Sequence, residues 1–152
     1  MSALPPVREL VPHKSTMLLL GEALAADETG ARAALRVAED SLLYDPALGG
    51  MPAWAGLEYM AQTVALYAGA EARKAGRAPA VGFLLGTRRF DAHVPCYKLA
   101  ARIEIEVRQE FRDDQMAVFD CWIREGEALL AEARLSVFQP HDAAAFLERG
   151  RQ

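Results

Sequence analysis

The sequence predicts an α+β domain in which one long helix is covered by a face of antiparallel sheet. Three observations carry this expectation. From Ala53 to about Lys74 there is no proline, and Trp54, Leu57, Ala61, Val64, Ala65 and Ala68 recur at helical spacing. Between Leu99 and Phe111, Ile103, Ile105 and Val107 alternate with Arg102, Glu104, Glu106 and Arg108, a period of two. The remaining apolar runs are short and bounded by turn residues, as antiparallel strands are.

A short amphipathic start (Val7, Leu10, Val11) leads to Pro12 and His13, and Met17 to Ala26 then reads as a largely apolar strand. Asp27-Glu28-Thr29-Gly30 supplies turn chemistry, with Gly30 free to take positive φ, and Ala31 to Val37 returns as the second strand of a hairpin. Asp40 to Pro52 holds Pro46, Gly49, Gly50 and Pro52 and is expected to be loop. The long helix follows, its small residues allowing close approach of a sheet, and Gly76 and Pro79 stop it. Beyond it, Ala80 to Phe90 reads as strand, His93-Val94-Pro95 as a break, and Leu99 to Phe111, Met116 to Arg124 and Leu129 to Phe138 as a three-strand meander. Asp113-Asp114 and Glu125-Gly126-Glu127 turn that meander, and Ala143 to Arg149 reads as a short surface helix. Exposed sheet edges make dimerisation by edge pairing an expectation.

At 152 residues the chain fits a single domain over residues 1–152, with its core between about residues 10 and 140 and a short C-terminal tail. Hydrophobic residues at 52% and charged residues at 25% match a globular protein that folds unaided. No apolar run reaches the roughly 20 residues of a membrane helix, and Pro5, Pro6, Arg8 and Glu9 stand where a signal peptide needs apolar residues. A cytoplasmic protein without membrane contact is expected. A formal net charge of -4 argues against binding nucleic acid, which requires clustered cations. Cys96 and Cys121 form no Cys-x-x-Cys pair, so buried free thiols are expected and no metal site is signalled.

Glu58 falls at the border of the helix stripe, with Gln62 one turn along the same side. Two readings fit it. One is a boundary glutamate that favours the positive helix end and reaches to water; the other is a partly desolvated carboxyl able to act as a general acid near neutral pH. Backbone N–H groups near Ala53 and Trp54 would sit at the same helix end, where a polarised carbonyl oxygen can be stabilised. Trp54 and Tyr59 fit either a core or the lining of a ligand tunnel. His13 fits a structural hydrogen-bonding role or a catalytic one, and His93 and His141 read as solvated loop. No Ser-His-Asp set, His-Glu-x-x-His, phosphate-binding loop or dinucleotide fingerprint can be assembled.

Leu10-Val11-Pro12-His13 with Met17-Leu18-Leu19-Leu20, then Pro52 through Gln62, then Gly82-Phe83 and Arg89-Phe90, resembles the β-hydroxyacyl-acyl carrier protein dehydratases. The likeness runs from about Leu10 to Pro140, and its most specific part is Gly-Leu-Glu-Tyr-Met-Ala-Gln. The preceding Pro-Ala-Trp and the stretch Gly86-Thr87-Arg88-Arg89 are similar to the predicted dehydratase branch found with aryl-polyene pigment synthesis. The resemblance implies a hotdog fold and a dimer, of two copies or with another hotdog protein, with active sites at the subunit interface. It also implies a substrate delivered as acyl-phosphopantetheine on an acyl carrier protein, in fatty-acid or polyene synthesis, and no metal or organic cofactor.

By the same resemblance Glu58 matches the catalytic carboxylate, Gln62 a glutamine that supports the helix and interface, and Ala53 a glycine whose N–H faces the thioester carbonyl. His13 matches the histidine of an N-terminal Pro-His motif. The sequence departs from the pattern at the catalytic loop histidine, where Tyr44-Asp45-Pro46 stands. A phenol is a poor base at neutral pH, and Asp45 a weak one unless desolvated. Three expectations therefore stand together. Glu58 dehydrates 3-hydroxyacyl thioesters with His13 as base, or with Tyr44 as a donor directing the substrate hydroxyl; or the chain is a non-catalytic subunit paired with a histidine-bearing hotdog dehydratase; or it is an acyl-thioester hydrolase. Arg88, with Arg89, Arg73, Lys74 and Arg77, is a candidate contact for substrate or for an acidic carrier protein.

Overall fold

In the computed structural model, which describes residues 4–10, 18–76 and 84–138, the elements run α1 (Val7–Leu10), β1 (Glu22–Ala26), β2 (Gly30–Arg36), β3 (Gly50–Pro52), α2 (Ala55–Lys74), β4 (Leu84–Ala92), β5 (Cys96–Lys98), β6 (Arg102–Arg112), β7 (Met116–Glu125) and β8 (Ala128–Phe138). Six strands form one antiparallel sheet in the order β1-β2-β6-β7-β8-β4, and β3 pairs with β5 as a separate ribbon. The sheet wraps α2, giving the α+β hotdog arrangement.

Period-two alternation decides which side of each strand meets the helix. Ile103, Ile105 and Val107 of β6, Phe119, Cys121 and Ile123 of β7, and Ala131, Ala133, Leu135 and Val137 of β8 are buried, and pack with Tyr59, Met60, Val64, Leu66 and Tyr67 of α2 in one core. The outward residues pair by charge: Arg134 donates to Asp120 (2.8 Å) and Arg124 to Glu106 (3.1 Å) across neighbouring strands. Such solvated pairs contribute little stability, but they keep the outer face polar.

Close approach of α2 depends on glycine at two positions. A Cβ on Gly56 would lie 2.2 Å from the Tyr97 hydroxyl and 2.9 Å from Ile123 Cδ1, and one on Gly69 would lie 2.1 Å from the Leu10 carbonyl oxygen where α1 crosses. The helix ends where expected. Gly76 takes φ +70° and its N–H donates to the Arg73 carbonyl (3.1 Å). At the other side Tyr67 donates from its hydroxyl to the Glu28 carbonyl (2.9 Å), tying α2 to the first hairpin.

Several expectations are corrected. The stretch expected to be loop, Asp40 to Pro52, ends in β3, whose partner β5 (Cys96–Lys98) falls between the expected break His93-Val94-Pro95 and the strand expected from Leu99, where no element was expected. Each has three residues, too few to show alternation. The strand expected from Leu99 begins at Arg102, because the chain first turns through Ala100 at φ 70°. Strand β1 starts at Glu22, and Leu18 to Gly21 precede it outside the strand, with the Gly21 N–H donating to the Ala34 carbonyl of β2 (3.0 Å). Gly30 is not among the residues of positive φ. Its need for glycine is proximity, since a Cβ there would lie 2.1 Å from the Val107 carbonyl oxygen. The expected C-terminal helix, Pro79 and His141 lie outside the described residues.

Candidate active site

The start of α2 is held by the β3–β5 ribbon. The Ala53 N–H donates to the Pro95 carbonyl (3.2 Å), and the Tyr97 hydroxyl donates to the Ala53 carbonyl (3.0 Å). This corrects the expectation for Ala53, whose amide already has an acceptor inside the chain and does not face outward toward a thioester. Gly56 and Leu57 donate to the Ala53 and Trp54 carbonyls (3.0 and 3.1 Å), so Trp54 and Ala55 carry the amides at this helix end that meet no acceptor among the described residues. The Trp54 side chain is 59% exposed, outside the core rather than within it.

The helix begins two residues later than the sequence pattern suggested, which puts Glu58 in its first turn, at the positive end of the helix dipole. Glu58 is half-buried, while Gln62, one turn on, is fully buried. The Leu19 N–H donates to Gln62 Oε1 (2.8 Å), and Gln62 Nε2 donates to Glu58 Oε1 (3.1 Å). A backbone N–H can only donate, so the Gln62 carbonyl must face Leu19 and its amide hydrogens must face Glu58. The consequence is chemical. Glu58 Oε1 is held as an acceptor by the Gln62 amide, which fixes the orientation of the carboxyl at the helix start.

Glu58 and Gln62 are thus brought together as expected, with Leu19 joining them. His13 lies outside the described residues. Tyr44 sits in the loop entering β3, half-buried against the core, with its N–H on the Ser41 carbonyl (3.1 Å). Beside it, Asp45 accepts the Ala47 N–H on Oδ1 (2.9 Å) and bridges to Gly50, an occupation that suits a turn better than a base.

Arg88 is not brought to this site. It is the extra residue of a β-bulge where β4 pairs with β8, and its Nε donates to Ser136 Oγ (2.6 Å) on the outer face of the sheet, opposite α2. Arg89 is paired with Asp91. Arg73 and Lys74 lie at the far end of α2, against Glu9 (3.4 Å) and Glu71 (3.3 Å), so the described members of the expected basic group do not gather at the Glu58 end, and Arg77 lies outside the described residues. His93 is exposed and meets Glu132 at 3.0 Å.

Sequence reasoning left Tyr97 unnoticed and did not settle Tyr59. Both phenols are buried, with their rings tilted against each other at 5.7 Å, and burial pushes both well above the ordinary tyrosine range. Tyr97 lies in a strand too short to be seen, but Tyr59 stood next to Glu58 in the motif itself. Burial likewise pushes the Cys121 thiol up, whereas Cys96 is half-exposed rather than buried as expected. Among the described residues no group of three or more His, Cys, Asp or Glu is arranged to hold a metal ion, and no helix is long and apolar enough to cross a membrane.

Comparison with solved structures gives the fold independently. The chain is similar to the dehydratase heterocomplex ApeI:P from Xenorhabdus doucetiae, at TM-score 0.90 and 21% identity over 99% of this chain and 100% of that one. It is also similar to a cysteine-to-alanine variant of an HP0420 homologue from Helicobacter felis (TM-score 0.70, 12% identity, 97% and 96% covered) and to protein PH1136 from Pyrococcus horikoshii (0.68, 10%, 93% and 99%). No curated protein sequence matches. The model of the ApeP-like family, described as ApeP dehydratase, matches residues 5–148, nearly the whole chain. With that span, the hotdog fold and a carboxyl held at the helix start by a buried glutamine, the chain belongs to the ApeP-like family of hotdog dehydratases.

Proposed function

We propose that the chain removes water from 3-hydroxyacyl groups carried as thioesters on an acyl carrier protein, with Glu58 as the catalytic carboxyl. The observation that supports this most is the Leu19–Gln62–Glu58 chain of hydrogen bonds, which orients the carboxyl at the start of α2. In the reaction a base takes the proton from the carbon next to the thioester carbonyl, Glu58 protonates the departing 3-hydroxyl, and water and an enoyl thioester result. In this reading the Trp54 and Ala55 amides, which meet no acceptor among the described residues, and the positive helix end stabilise the negative charge that builds on the thioester oxygen. The acyl chain arrives with its own phosphopantetheine arm, and the setting is fatty-acid or polyene synthesis in the cytoplasm.

The base is the open element, and it points to a partner subunit. Tyr44 is a phenol and Asp45 is engaged in a turn, so His13 or a histidine of a second hotdog subunit fills the role. The likeness to a dehydratase heterocomplex favours the second source, in a heterodimer rather than a homodimer. The test is water loss from a 3-hydroxyacyl carrier protein, followed by mass spectrometry, with the chain alone and mixed with a histidine-bearing hotdog dehydratase. Turnover alone that vanishes in His13→Ala makes His13 the base. Turnover only in the mixture, lost in Glu58→Gln, assigns a shared site; turnover in the mixture that survives Glu58→Gln makes this chain the non-catalytic partner. Release of free acid instead of enoyl product would make it a thioester hydrolase and overturn the proposal.

A further inference from the structure

Among the described residues five large apolar side chains are exposed, and four of them, Leu42, Leu48, Trp54 and Leu99, belong to the loop before β3, the end of the β3–β5 ribbon and the helix start. Single exposed apolar residues are ordinary, but a concentration of them in one part of a fold marks a surface of contact. Leu48 and Leu99 are neighbours through the backbone, because the Leu99 N–H donates to the Gly49 carbonyl (3.0 Å).

Leu99 stands at the tip of a turn. The Ala101 N–H donates to the Lys98 carbonyl (3.0 Å), and Ala100 takes φ 70°, a conformation that the third position of such a turn ordinarily gives to glycine. The turn is braced from the end of β2. Arg36 donates from Nη1 to the Ala100 carbonyl (2.8 Å), and the Ala100 N–H donates to the Val37 carbonyl (2.8 Å). A non-glycine residue keeps this conformation only where its surroundings enforce it, and here they hold Leu99 out in solvent, 42% exposed.

Two cations flank the leucine. Lys98 is exposed and meets no carboxylate among the described residues, and Arg36 is engaged with a neutral carbonyl. By contrast Arg89, Arg102, Arg124 and Arg134 are each neutralised by a carboxylate. The chain as a whole has a formal net charge of -4, so it attracts an acidic protein only where local cations are left without such partners.

We infer that the Lys98–Leu99 turn, with Leu48 and Arg36, is the docking surface for the acidic carrier protein that delivers the acyl thioester. The inference rests on the proposed reading of the chain and adds the place where its carrier lands. β3 and β5 have three residues each, so the turn stands about 10 Å from the start of α2, at the opposite end of the ribbon, a distance that a phosphopantetheine arm spans. A leucine set beside unpaired cations suits a transient contact steered by charge, whereas the core of a permanent subunit interface is depleted in charge.

The experiment measures fluorescence anisotropy of a labelled octanoyl carrier protein, which docks but has no hydroxyl to lose, on the parent and on Lys98→Glu, Leu99→Ser and Arg32→Glu. Where a partner subunit is needed, the complex is used. Arg32 is an exposed cation of β2 outside this turn, and its substitution changes the net charge by the same amount as Lys98→Glu. Lys98→Glu and Leu99→Ser are each expected to weaken carrier binding about tenfold, and Arg32→Glu by less than about twofold. Water loss from 3-hydroxyoctanoyl-pantetheine, which has no carrier to dock, is expected to be unchanged in all three. Equal weakening by Lys98→Glu and Arg32→Glu would reduce the effect to net charge and overturn the inference, as would parent affinity in both Lys98→Glu and Leu99→Ser, or no carrier binding by the parent. Loss of the partner subunit from the Leu99→Ser protein, seen by light scattering, would overturn it too, by making the turn a subunit interface. Anisotropy reads binding alone, so a docked 3-hydroxyacyl carrier that loses no water would contradict the dehydratase reading while the docking surface stands.

Discussion

Glu58 and Gln62 were legible as a pair because helical spacing puts them on one side of α2, and the dehydratase resemblance fell on the same two residues. Spacing could not show the third member, Leu19, which reaches Gln62 from a different part of the chain. Replacing Gln62 by leucine keeps its bulk but leaves the Leu19 N–H unpaired and removes the amide that donates to Glu58. Stability is expected to fall by about 1–3 kcal/mol, read from urea denaturation. Turnover should fall through kcat more than KM, because the carboxyl loses its orientation while the pocket remains. Asp27 gives a separate test by pH. Its carboxyl is held below the ordinary aspartate range, first by the Thr29 N–H, then by the Thr29 hydroxyl and the Gly30 N–H. The stability it contributes is present above the unfolded value of 3.8 and is lost as pH falls through the lower folded value. Asp27→Asn should therefore be less stable than the parent at neutral pH, and the difference should shrink toward zero in acid; a constant difference would contradict the assignment.

Among the elements, the long helix and the meander were read correctly because each carries its periodicity over ten residues or more. The β3–β5 ribbon was missed because proline and glycine interrupt this part of the chain and neither strand is long enough to alternate. Yet this ribbon sets the helix start. Tyr97 holds the Ala53 carbonyl, and Pro95 takes the Ala53 N–H that the family pattern had suggested for the thioester. That contact requires glycine at position 56, since any side chain there meets the Tyr97 hydroxyl and Ile123. Gly56→Ala is expected to cost about 1–3 kcal/mol as strain from overpacking, although alanine is the better helix former. A Gly56→Ala protein with an unchanged or raised thermal midpoint would show that the helix does not lie against the ribbon as described.

For the molecule as a whole, α2 carries its carboxyl at one end and its exposed cations at the other, while the outer sheet face holds Arg88 and Arg89. Arg73 and Lys74 on the one hand and Arg88 and Arg89 on the other are thus on separate surfaces, which linear order cannot reveal. Strands β1 and β4 are the two edges of the six-stranded sheet, and under the proposed function a second hotdog subunit completes the site at the start of α2. The most direct measurement is the single-turnover rate of water loss from a 3-hydroxyacyl carrier protein, for the parent and for Glu58→Gln, in the presence of the histidine-bearing partner. Glu58→Gln is expected to bind the carrier-borne substrate as the parent does and to react at least about 100-fold more slowly. A rate near that of the parent, with the protein folded and substrate bound, would show that Glu58 is not the catalytic carboxyl.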